Sequence, residues 1–163
     1  GPDQDYVGQE IYFGSHGQGG QGNDGDIVSI VNVTNKSNVQ SIATASYENL
    51  GYTHQGWLTE DHRSFIVGDE TDEISFGFNT KTIVLDVSDL DNPTVSFEYT
   101  GTTAAIDHNG YVKGDDFYLS NYSAGLRVLD ISNIGDGVMT ERAFFDTSPD
   151  TNSASFQGAW SVY

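Results

Sequence analysis

A chain of 163 residues with 24 Asp and Glu against 6 Lys and Arg carries a formal charge of −18, with four histidines and no cysteine. Such a surface repels phosphate backbones and anionic headgroups, which argues against nucleic-acid binding and membrane docking and leaves cations or basic protein patches as partners. Without cysteine there is no disulfide framework and no thiolate metal or redox site, and no apolar run reaches the roughly 18 residues of a membrane span.

Bulk for a core comes from 9 Tyr, 9 Phe and 2 Trp, while 19 Gly and an apolar fraction of 36% describe a turn-rich chain. The first strand is expected at Glu10-Ile11-Tyr12-Phe13. After it, Gly14 to Gly25 form a Gly-rich loop that contains G-x-G-x-x-G at Gly17, Gly19 and Gly22. A dinucleotide fingerprint requires a helix directly afterwards. Here Asn23-Asp24-Gly25-Asp26 leads into the strand-like run Ile27 to Val33, so the loop reads as a linker and no nucleotide is expected.

Further strands follow at Thr53 to Leu58, Ser64 to Val67, Thr82 to Val87, Thr94 to Tyr99, Tyr111-Val112, Asp116 to Leu119, Leu126 to Ile131 and Glu141 to Phe145. All are short, rich in β-branched and aromatic residues, and bounded by Gly, Asn and Asp. No segment has a helical apolar face. The chain ends on another strand-like stretch, Ala159-Trp160-Ser161-Val162-Tyr163.

These strands repeat. Ile30-Val31-Asn32-Val33-Thr34, Val84-Leu85-Asp86-Val87-Ser88 and Val128-Leu129-Asp130-Ile131-Ser132 share one pattern, and His54-Gln55-Gly56-Trp57 returns as His108-Asn109-Gly110-Tyr111. Phe156-Gln157-Gly158-Ala159-Trp160 is a degenerate third copy of the second motif. Four short strands per repeat of roughly 45–50 residues is the blade unit of a β-propeller. The fold class expected is therefore all-β, with four-stranded antiparallel blades over 6–50, 51–104 and 105–155, and 156–163 opening a further blade. About three blades make an incomplete propeller, which needs the remainder of a larger chain or self-association to cover its open edges.

The run from Gly110 through Asp116-Phe117-Tyr118-Leu119 and Leu126-Arg127-Val128-Leu129-Asp130-Ile131-Ser132 resembles an LVIVD repeat, a propeller-blade module. Together with Gly51-Tyr52-Thr53-His54-Gln55-Gly56-Trp57-Leu58, Asp107-His108-Asn109 and Gly158-Ala159-Trp160, it is similar to the bacterial choice-of-anchor B proteins. That resemblance implies a secreted or cell-surface bacterial protein with a variable C-terminal anchor. It implies no settled activity.

Two sets of residues carry chemistry. His54 and His108 hold equivalent repeat positions on first strands, which line a propeller's central channel, so they are expected to converge, with Asp107, Asp69 and Glu70 nearby. Neutral imidazole with carboxylate suits transition-metal dications. Hydrogen bonding between neighbouring blades is the structural reading of the same histidines. The second set is the acidic run Asp69-Glu70-Thr71-Asp72-Glu73, whose carboxylates suit Ca²⁺ although no EF-hand spacing is present. Asp86, Asp89 and Asp91 around Asn92-Pro93 read instead as a capped turn. Trp57, Tyr111, Tyr118, Tyr122 and Trp160 are expected chiefly in blade cores, with sugar stacking as the other use.

No nucleophile elbow, H-E-x-x-H motif or cysteine nucleophile is present. The function expected is a non-enzymatic extracellular binding or structural module held by divalent cations, with an extracellular protein or glycan as partner. The alternative is a metal-dependent enzyme using His54 and His108.

Overall fold

A computed structural model describes residues 1–16 and 27–162. The glycines of G-x-G-x-x-G and the acidic residues after them lie outside the described residues. The β-branched runs pair as expected, giving three antiparallel sheets. The first contains β1 (Ile11–His16), β2 (Ile27–Asn32) and β3 (Gln40–Ala45) in that order. In the second, β4 (Thr53–Leu58), β5 (Ser64–Asp69), β6 (Lys81–Asp86) and β7 (Thr94–Thr100) form a four-stranded meander. The third repeats the meander with β8 (Gly110–Lys113), β9 (Asp116–Ser120), β10 (Leu126–Asp130) and β11 (Thr140–Phe145).

The sequence repeat has a local physical basis. Asn32, Asp86 and Asp130 each end a strand by accepting the backbone N–H two residues on, from Thr34, Ser88 and Ser132 at 3.0, 2.9 and 2.9 Å. This Asx turn needs a short side-chain acceptor at that position. Just before it, each sheet carries the same register shift, at Ile30/Val31, Val84/Leu85 and Val128/Leu129. A β-bulge there adds the same local twist to all three sheets.

The inner strands of the second sheet, β5 and β6, are buried on both faces. Phe65, Val67, Ile83 and Leu85 pack with Val28, Ile30 and Tyr47 of the first unit, whereas Ile66 and Val84 pack with Phe117, Leu119, Leu129 and Ile131 of the third. Alternation along β5 and β6 thus feeds two cores from one sheet, which is why those strands read as nearly continuous apolar runs. By contrast, every residue of β11 is exposed.

First strands of successive sheets lie side by side, β1 against β4 and β4 against β8. Within the second and third sheets the glycine of the His-x-Gly-aromatic motif makes room for a phenylalanine of the next strand. A Cβ on Gly56 would overlap the Phe65 ring, and one on Gly110 would overlap Phe117. Gln55 then bridges the two sheets, accepting from the Gly110 N–H at 2.8 Å and donating to the Gly110 carbonyl at 2.9 Å. Its amide fills the place of a paired strand.

Several features differ from expectation. Among the described residues the first sheet has three strands, not the four expected of a blade over 6–50, and its β3 is a half-exposed strand whose sequence lacks the apolar run that marks most of the others. Asp72–Phe76 folds as a five-residue helix, α1, closed by Gly77 at φ 75°, where the acidic run reads as a loop. A single turn is too short to show 3.6-residue periodicity, and its signals are the acidic first turn and the left-handed glycine. Residues 159–162 form no strand; Ala159 makes an isolated antiparallel bridge to Tyr122. Gly158, at φ 118°, brings the chain against the Tyr122 backbone.

The glycine at the sheet junction gives a direct test. Gly110→Ala is expected to lower stability by about 1–3 kcal/mol through overpacking against Phe117, measured by urea denaturation, and combining it with Phe117→Leu should recover part of the loss. An unchanged midpoint for Gly110→Ala would show that the fit of Phe117 over Gly110 is not needed.

Candidate functional site

The Gln55 bridge sets the spacing of the histidines. His54 on β4 and His108, two residues before β8, stack with ring centroids 4.5 Å apart at 32°. Glu70 follows β5 and is fixed by its backbone N–H, which donates to the Tyr52 carbonyl at 3.0 Å. Its carboxylate approaches both rings, with Oε2 3.7 Å from His54 Nδ1 and Oε1 3.4 Å from His108 Nε2. The three ligand atoms fall within 4.8 Å of one another. Adjacent ligands of a tetrahedral ion with bonds of 2.0–2.1 Å stand about 3.3 Å apart, close to the two nitrogen–oxygen separations.

The surroundings fix these groups. Tyr122 donates its hydroxyl to Glu70 Oε1 at 2.7 Å. Its own backbone sits at φ 27°, a region that favours glycine. His108 is almost buried, at 8% exposure. Its Nδ1–H donates to the Trp160 carbonyl, so Nε2 keeps its lone pair, which accepts the Trp160 indole N–H at 2.8 Å. Burial holds the His54 imidazole below its ordinary pKa, with the nearby His108 acting in the same sense and Glu70 opposing. Neutral rings are the form that binds a metal. Two imidazoles and one carboxylate suit Zn²⁺ and neighbouring transition-metal dications.

The remaining acidic candidates separate into different roles. Asp69 is fully buried but well supplied with donors, accepting from Tyr47 Oη at 3.0 Å, Gly51 N at 2.7 Å and Tyr52 N at 2.5 Å. It pins the chain between β3 and β4. Asp72, Glu73 and Asp107 are buried at 0%, 2% and 0% exposure, and none of their carboxylate oxygens makes a hydrogen bond. Lys81 Nζ stands 3.2 Å from Asp72 Oδ2. Burial pushes Asp72 up to about 6 and Glu73 up to about 9, helped by the neighbouring carboxylates, and raises Asp107 well above the usual carboxylate range for the same reasons.

Asp86 and Asp89 hold turn amides, from Ser88 at 2.9 Å and Asp91 at 3.1 Å. Asp91 accepts the Tyr6 hydroxyl at 2.9 Å. Asp3, Asp89 and Asp91 also bring ligand atoms within 4.8 Å of one another, but at an exposed turn. Among the aromatics, Trp57 and Tyr111 meet edge to face at 4.8 Å and, with Tyr118 and Leu126, line an open hollow. They are not core. Tyr122 and Trp160 belong to the histidine site, a role the sequence signals only through their place in the repeat motifs.

A pH dependence follows from Glu73. Its carboxyl binds a proton more tightly in the folded chain (about 9) than its ordinary value of 4.5, so the stabilising form is protonated. In chelator-treated protein this contribution is full below pH 4.5 and is lost as pH rises towards 9. Thermal melts across that range should therefore show a falling Tm that Glu73→Gln flattens; an identical slope in the variant would assign the effect elsewhere. No family model matches the chain and no curated protein matches it, so the chemistry of the site rests on its own residues.

Proposed function

We propose that the chain is part of an extracellular or cell-surface β-propeller of the LVIVD kind, a non-enzymatic binding and structural module whose sheets are joined by a transition-metal dication on His54, Glu70 and His108. The observation that carries this reading is the convergence of those three ligand atoms, from two sheets, within 4.8 Å. Side-by-side first strands and the bulge shared by all three sheets support the propeller arrangement. The charge of −18 without cysteine suits a soluble surface outside the cell.

The exposed β11 edge, with Phe144 and Phe145 at 61% and 69% exposure, offers a place for further sheets of the same kind or a second copy. The Trp57–Tyr111 hollow offers one for an extracellular protein or glycan. A second reading, metal-dependent hydrolysis, is favoured by one feature: three protein ligands leave a coordination position for water, as catalytic zinc sites do.

Elemental analysis of chelator-stripped protein reloaded with Zn²⁺ should give one bound ion, absent in His54→Ala and His108→Ala. Tyr122→Phe, which removes only the hydroxyl on Glu70, should weaken binding roughly 10–100-fold. Loss of neither signal in the histidine variants would overturn the site. Ester or phosphoester turnover by the loaded protein, abolished in Glu70→Gln, would favour the enzyme over the module.

A further inference from the structure

Among the described residues, one lysine is carried inside. Lys81, the first residue of β6, has a side chain only 6% exposed, and its Nζ stands 3.2 Å from Oδ2 of Asp72, a fully buried side chain at the start of α1. The rings of Phe78 and Tyr47 cover the amine, with centroids 5.3 and 5.8 Å away. Nζ donates to the Glu48 carbonyl at 3.3 Å, which fixes its position. Glu98 also approaches it, at 3.8 Å, from a partly exposed side chain.

The Lys81–Asp72 contact departs from an ordinary ion pair. Both carboxyl oxygens of Asp72 are buried and accept no hydrogen bond, so the amine meets the carboxyl outside the angles at which N–H···O bonds form. An ion pair at that depth lacks the additional hydrogen bonds that offset desolvation of two charges. The neutral pair, amine beside carboxylic acid, avoids that cost. The same surroundings keep the next residue of α1, Glu73, protonated up to about 9. A desolvated neutral lysine is a nucleophile. The carboxyl carbon one bond beyond Oδ2 is an electrophile for it, and groups fixed about 3–3.5 Å apart with water excluded react far faster than the same groups free in solution.

We propose that Lys81 and Asp72 join in an isopeptide bond once the chain has folded, linking β6 to α1. Nζ attacks Asp72 Cγ and one carbon–oxygen bond of the carboxyl breaks. Counted from the ion pair, two of the three ammonium hydrogens leave with that oxygen as water and the third stays on the amide. One cation and one anion are consumed together, so the charge balances, and no oxidant or co-reactant enters. The chain has no cysteine, so this link is a covalent tie that reducing conditions leave intact. It uses none of His54, Glu70 and His108 and is independent of an ion there.

The test is the intact mass of the folded 163-residue chain, which should be one water lighter than its sequence. Trypsin does not cut after an acylated lysine. Digestion of the denatured protein should therefore yield residues 64–113 as one peptide short of one water, in place of 64–81 and 82–113. Lys81→Arg keeps a cation beside Asp72 but forms no such amide, and Asp72→Ala removes the electrophile. Both should show the full mass and be cut after position 81. If neither variant folds, fragment spectra of the 64–113 peptide from the unmodified chain decide the matter by placing the lost water at Lys81 and Asp72. Full mass with cutting after Lys81 in the unmodified chain, a lost water mapping to other residues, or a lost water that persists in Lys81→Arg would overturn the proposal.

Discussion

The close approach of β4 to β8 governs everything at the junction of the second and third sheets. The Gln55 amide holds it by reaching both backbone groups of Gly110, while Gly56 and Gly110 leave room for Phe65 and Phe117 within their own sheets. Once the strands are that near, the residue before Gln55 and the residue two before Gly110 must face each other. Both are histidines. The motif therefore fixes architecture and chemistry with the same four positions.

Burial then sorts the acids. Asp69, Glu70, Asp72 and Glu73 are almost consecutive, yet they meet four different surroundings because β5 ends within the run and α1 begins there. Asp69 finds amide donors, Glu70 finds Tyr122 and the imidazoles, Asp72 finds Lys81, and Glu73 finds no donor. In a chain of charge −18 most acids remain in water, where repulsion is weakened by solvent and salt. Those few carried inside set the pH response.

What could be read from the sequence was whatever depends on local spacing. Period-two runs gave the strands, the Asn/Asp-x-Ser/Thr pattern gave the turns, and the His-x-Gly-aromatic repeat singled out His54 and His108. Partition of the acidic run could not be read, since an Asp beside Lys81 and a Glu without a partner look alike until the chain folds. The five-residue α1 lacks the length to reveal a helical period. Ala159 to Val162 have strand-like composition but meet only the Tyr122 backbone, so composition there overstated pairing. Trp57, read as core, is exposed, and the half-buried Tyr111 packs on it at the open hollow.

Trp160 has a further consequence. Its indole N–H occupies the lone pair of His108 Nε2, and its carbonyl fixes the opposite nitrogen. An ion taking Nε2 has to displace the indole while leaving the carbonyl contact in place. The chain has only one other tryptophan, Trp57, which packs on Tyr111 in the outward hollow. Were an ion to bind there, ultraviolet emission from Trp160 would report it without any label.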